Sequence, residues 1–106
     1  MLKPFFVWEN KELIRVQPEQ VVFLETQRNY TKIFLADKKY YLVRSSLSSV
    51  MKKLPSDQFI KIHRSFVVSV SYIDRINTDH LVVGNEGLPI GKQYYKSLIE
   101  RLNVIE

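Results

Sequence analysis

His63, Arg64 and Ser65 stand side by side, and the apolar run of residues 66–70 begins directly after them. An imidazole, a guanidinium and a hydroxyl in a row can contact phosphate oxygens and base edges. A buried strand fixes the backbone next to it, so polar side chains at its mouth are held in place. Arg64 carries the planar donor fork that matches the major-groove edge of guanine. An arginine set beside a core is rarely left without a partner. His63 could donate to a phosphate, or it could be a structural histidine whose ring nitrogens bond nearby backbone. Ser65 is most simply a local hydrogen-bonding residue.

Residues 58–73, which contain this triplet, hold no acid, and neither do residues 26–35 and 91–99. All three segments combine cations with hydrogen-bonding side chains and include or border a turn or an element end, where a core can hold the backbone while side-chain tips reach solvent. In the first, Arg28-Asn29-Tyr30-Thr31-Lys32 crosses a turn. Asn29 could pair with adenine, Thr31 could touch a thymine methyl or a phosphate, and Lys32 could neutralise phosphate. Asn29 would equally serve as a turn former and Lys32 as a solvated strand residue. In the third, Lys92 and Gln93 open a helix. A lysine there faces the positive end of the helix dipole, and a bound anion would reverse the sign of that interaction. Left alone, such a lysine costs about a few tenths of a kcal/mol.

The same residues speak against catalysis. The chain has no cysteine, so disulfides, thiolate metal sites and thiol nucleophiles are excluded. His63 and His80 have no metal-ligand spacing. His63 and Ser65 would share a strand face, but no orienting acid or nucleophile elbow accompanies them. None of the three glycines belongs to a phosphate-cradling loop. The expectation is a binding protein with no cofactor and no metal.

At 106 residues the chain reads as one domain, 1–106. Sixteen Lys and Arg against eleven Asp and Glu give a net charge of +5, spread over both halves without a basic tail. A basic domain suits an anionic partner. No apolar run approaches a membrane span, and Met1-Leu2-Lys3-Pro4 lacks a signal-peptide core, so a cytoplasmic protein with no membrane partner is expected.

The elements that must position these residues are mostly short strands. Alternating, β-branched or aromatic runs occupy residues 5–8, 13–16, 21–26, 30–35, 40–43, 59–62, 66–70, 72–76, 80–83 and 88–90. Polar turns separate them at 9–12, 27–29, 36–39, 77–79 and 85–87. Ile33 and Leu35 fall on one face of their strand, Lys32 and Phe34 on the other. Leu47, Val50, Met51 and Leu54 switch to helical spacing, with Ser45 or Ser46 as cap, Lys52 and Lys53 suited to the C-terminal dipole and Pro55 as stop. Tyr95, Leu98, Ile99 and Leu102 repeat that spacing at the end of the chain. The fold expected is mainly β: about ten short strands in small antiparallel sheets, an elongated sandwich, with two short helices.

The order of these motifs resembles the LytTR DNA-binding domains. The likeness rests on residues 21–26 followed by Asn29-Tyr30-Thr31, on residues 41–47, on residues 59–68, and on residues 88–94 followed by Leu98. Ser69 stands where that family usually has Asn, and Lys92 where Arg is common. The resemblance implies the output domain of a bacterial response regulator, a two-component transcription regulator that binds double-stranded DNA in a sequence-specific way. It implies loops inserted in successive major grooves, a bent duplex and paired repeats as the target. It also implies a receiver domain, which this sequence does not supply; with no heptad repeat and one apolar face on the last helix for the domain itself to bury, a monomer when free is expected. By position the resemblance carries DNA contacts onto Asn29, Thr31, Lys32, His63, Arg64, Lys92 and Gln93, and Arg28 joins them from the reading of the turn. The rival readings are an RNA or single-stranded nucleic-acid binding β module that stacks bases on Tyr and Phe, and a protein-interaction module whose charge is incidental.

Overall fold

Val21, Val22, Phe23 and Leu24 are buried in succession. A strand buried on both faces belongs in the middle of a layered structure. In the computed structural model, which describes residues 2–106, these four residues open β3 (Val21–Gln27), the centre of a five-stranded antiparallel sheet. Its neighbours are β4 (Tyr30–Leu35) and β7 (Phe66–Ser69), and its edges are β5 (Tyr40–Val43) and β6 (Phe59–His63). A register shift between Val21 and Phe23 lets β3 feed both faces: Val21 and Leu24 enter one core, Val22 and Phe23 the other.

The first face is covered by the hairpin β1 (Phe5–Glu9) and β2 (Glu12–Val16) and by α1 (Leu47–Met51). Val7, Val16, Leu47 and Val50 pack there with Ile33, Leu35, Phe59 and Val67. The second face is covered by a three-stranded sheet, β8 (Ile73–Ile76), β9 (His80–Val83) and β10 (Glu86–Pro89), and by α2 (Lys92–Glu100). Leu81, Val83, Leu88, Ile90 and Leu98 close on Ile60, Ile62 and Val68. The molecule measures 48 × 32 × 23 Å. Ten strands in three small antiparallel sheets with two helices agree with the expected class.

Several strands run one residue longer than expected, and three other boundaries differ for local reasons. The first helix stops at Met51 because the Lys53 and Leu54 amides bond back three residues, to Val50 and Met51, rather than four. That tighter winding still leaves Leu54 buried. The run 66–70 ends at Ser69, and Val70–Tyr72 forms a single 3₁₀ turn before β8. The turn expected at residues 85–87 lies at Gly84-Asn85, with φ of +54° and +71°. That pair gives a two-residue type I′ loop, so Glu86 and Gly87 belong to β10.

Candidate functional site

Strand direction decides which turns meet. β3 runs towards Gln27, β4 and β7 start beside its end, and β6 and β5 finish there. The two-residue loops Arg28-Asn29 and Arg64-Ser65 and the exit of β5 at residues 44–46 therefore share one end of the central sheet. Two backbone bonds tie this end together. The Thr26 amide donates to the Ser65 carbonyl at 2.9 Å, and the Gly91 amide donates to the Ile62 carbonyl at 2.8 Å. The second bond brings the first turn of α2, with Lys92 and Gln93, beside the β6–β7 loop. A Cβ on Gly91 would meet the Tyr94 ring at 2.8 Å, so a larger residue there would force that ring to move, while the His63 backbone lies at an ordinary 3.8 Å. The three acid-free segments of the sequence thus converge, and none of the residues at 27–30, 44–46, 63–65 and 91–93 is acidic.

Arg28, Asn29, Arg64, Lys92 and Gln93 are all exposed. The side-chain hydrogen bonds at this end run instead from Arg44 to Tyr30, from Thr31 to Ser45, from the Ser65 amide to His63 and between Ser46 and Ser49. Arg28 takes the left-handed φ of the β3–β4 loop, +54°. Arg28 rather than Asn29 thus supplies that turn geometry, and the Asn29 amide is free of the task. Holding a non-glycine residue there costs about 1 kcal/mol or more. His63 accepts the Ser65 N–H at Nδ1, 3.1 Å, and its ring packs on Phe66 with centroids 5.5 Å apart. With Nδ1 occupied as an acceptor, the proton of the neutral ring sits on Nε2, which is left as a donor. The structural and functional readings of His63 therefore use different nitrogens and are compatible.

Thr31 is a correction. It is buried, 0% exposed, and its hydroxyl donates to the Ser45 carbonyl at 2.7 Å. It has no surface for a nucleic-acid contact; it ties β4 to the segment that leaves β5. Its place two residues before Ile33, on the same inward face, was the signal in the sequence. Lys32 also departs from the turn set. Its ammonium lies 4.1 Å from the Tyr40 ring centroid and 5.0 Å from that of Phe34, a cation–π arrangement on the sheet face.

Arg44 was not among the residues singled out from the sequence. It is exposed, its guanidinium lies 5.6 Å from the Tyr30 ring centroid, and Nε donates to the Tyr30 hydroxyl at 3.4 Å. That hydrogen bond first, and charge interaction with the same group second, hold its pKa above the ordinary arginine value, so it stays cationic. Only the pairing of β4 with β5, with Thr31 opposite Val43, puts it beside the β3–β4 loop.

A family model described as the LytTr DNA-binding domain matches residues 11–103. The chain is 28% identical over 100 residues to the sensory transduction protein LytT of Bacillus subtilis, covering 89% of this chain and 41% of that protein. It is 30% identical over 95 residues to LytT of Enterococcus faecalis, covering 84% and 39%. It therefore spans about two-fifths of the length of these relatives. A solved LytTr DNA-binding domain from Bacillus cereus superposes with a TM-score of 0.82 at 25% identity, over 98% of this chain and 100% of that one.

Proposed function

The chain belongs to the LytTr DNA-binding domain family, and from that premise we propose that it reads double-stranded DNA with the four-turn end of its central sheet, as the output domain of a two-component transcription regulator. One observation carries the assignment to this end: segments up to some sixty residues apart are joined by two backbone hydrogen bonds into one exposed, cationic, acid-free surface. A surface of this kind docks on phosphates through charge and keeps its side chains in register for base edges.

Arg28, Arg44 and Lys92 act as phosphate contacts that set the register. Arg64 and Asn29 read base edges, the first with its fork and the second with its amide. His63 donates through Nε2, and Gln93 reaches a base or a phosphate from the first turn of α2. Thr31 holds the β5 exit in place and does not touch the duplex. Reading by turns places the β3–β4 and β6–β7 loops and the start of α2 in grooves of the same duplex, and bending the DNA lets them engage together. The free protein is a monomer. Two copies occupy repeats about one helical turn apart, brought together by a receiver domain in the longer regulator.

Selection from a random duplex pool tests this directly, and an enriched motif is the expected result. Binding of a single strand as tightly as the duplex at equal salt would overturn it.

A further inference from the structure

A cleft of about 920 Å³ opens between the β1–β2 hairpin, β5 and α1; Tyr30, Arg44 and Ser45 of the four-turn end stand at one side of it, and the loop Arg64-Ser65 and α2 take no part in its lining. Its buried floor includes Val7, Ile33 and Val50. Its rim exposes Phe6, Trp8 and Leu42, at 56%, 68% and 47%. The charged residues lining it are Lys3, Arg44, Lys52 and Lys53, with no carboxylate among them. Isolated apolar side chains on a surface need no explanation, but a contiguous apolar cleft with a rim of one sign does.

One wall is also an unused strand edge. Asn10 and Lys11 have φ of +50° and +67°, which makes a two-residue type I′ loop. Glu9 and Glu12 then close the ladder as a hydrogen-bonded pair, followed in alternation by Val7 with Ile14 and Phe5 with Val16. Phe6 and Trp8 consequently point their backbone N–H and C=O groups away from β2, along an edge that pairs with no strand among the described residues. The cleft therefore offers three things at once: backbone groups seeking a partner, an apolar floor and three lysines, Lys3, Lys52 and Lys53, beside the Arg44 already given to the duplex.

We infer that this cleft receives an extended acidic segment of a protein partner, added as a third strand beside β1. Side chains of an added strand alternate, so apolar residues meet the floor while carboxylates reach the lysines. Duplex DNA satisfies only the charge and would leave Phe6, Trp8 and Leu42 against phosphate. A second copy of this chain brings a net charge of +5 to a cationic rim, which opposes self-association.

Trp8 is the only tryptophan in the chain and reports on its own site. The probe is a capped decapeptide that alternates Glu with Val and Leu, titrated into the 106-residue protein. The expected result is a saturable blue shift of Trp8 emission with slowed amide exchange at Phe6 and Trp8. Lys52→Glu combined with Lys53→Glu should weaken this binding about tenfold; both side chains are exposed, so the fold should tolerate the change. The inference is overturned if the peptide leaves Trp8 emission unchanged, or if a peptide with Lys in place of Glu binds as well. It is overturned equally if the double variant binds undiminished. A short duplex whose effect on Trp8 emission is lost in the Lys52→Glu, Lys53→Glu variant would overturn it by making the cleft part of the DNA surface, and a dimer by light scattering would overturn it by making the cleft an interface between copies.

Discussion

At one end of the central sheet stand the loops Arg28-Asn29 and Arg64-Ser65, the β5 exit and the start of α2. At the other stand the 3₁₀ turn Pro18–Gln20, the loop at residues 36–39 and the approach to β6 at residues 56–58. Both ends use tight turns, and both place a non-glycine residue at positive φ, Arg28 in one and Lys38 in the other. They differ in what the side chains do. At the second end Asp37 accepts the Lys39 amide at 3.0 Å, Gln20 caps the Gln17 amide at 3.1 Å, and Tyr72 donates to the Glu19 carbonyl at 2.7 Å. Glu19, Asp37 and Asp57 accompany Lys38 and Lys39, so both signs are present. At the first end the exposed cations have no carboxylate neighbours in the turns, and Asn29, Arg64 and Gln93 keep their bonding capacity. Turn geometry alone marks neither end as functional. Unspent donors of one charge sign, on backbone that is pinned, mark the first.

The largest test of that contrast is Arg64. Arg64→Ala should cost about 1–3 kcal/mol on the selected duplex and much less on random sequence, with thermal stability unchanged because the side chain is exposed. Equal losses on both duplexes would reduce Arg64 to a phosphate contact. An unfolded variant would move it to the structural side of the comparison.

Thr31 tests where positioning ends and contact begins. Thr31→Val removes a buried donor from the Ser45 carbonyl, in a bond that is part-buried because Ser45 is exposed, which should cost about 1 kcal/mol of stability in denaturant unfolding. The base preference of the folded fraction should stay the same. A changed preference at one base position, with stability intact, would return Thr31 to the reading surface.

These two residues also show how far the sequence could be read. The strands were legible because both faces of the central sheet are covered, which imposes either alternation or an unbroken apolar run. Arg28, Asn29 and Arg64 were legible because they interrupt such runs. Thr31 was placed on the surface by its residue type and by the family resemblance, although its spacing from Ile33 and Leu35 pointed inward. Arg44 was out of reach: its partner Tyr30 is fourteen residues away, and only antiparallel pairing joins them. The cleft beside β1 was hidden for the same reason, since hairpin and helix meet only through the fold.

Lys92 gives a smaller effect. Lys92→Gln should weaken all duplexes about equally and flatten the dependence of log affinity on log salt by about one unit. Thermal stability should hold or rise slightly as a cation leaves the positive end of α2. Arg44→Gln should act in the same way, without the gain in stability. A loss confined to one base position in either variant would turn a register contact into a reader.

The smallest effect belongs to the far end and decides whether the contrast is one of place or only of net charge. Lys38→Gln with Lys39→Gln removes two exposed cations, as Arg28→Gln with Arg44→Gln does at the near end. The six residues of β4 hold the two ends apart by about 20 Å. At 0.1 M ionic strength charges are screened beyond about 10 Å. The far pair should therefore change duplex affinity by no more than about twofold and leave the salt slope as it was. The near pair should flatten that slope by about two units. If both double variants lose affinity to the same extent, the duplex is held by the overall charge of the protein and the four-turn end is not its reading surface. Repeating the comparison at 0.01 M, where screening extends to about 30 Å, should bring the two variants closer together. That convergence would show that distance from the docked end, and not the identity of the residues, separates them.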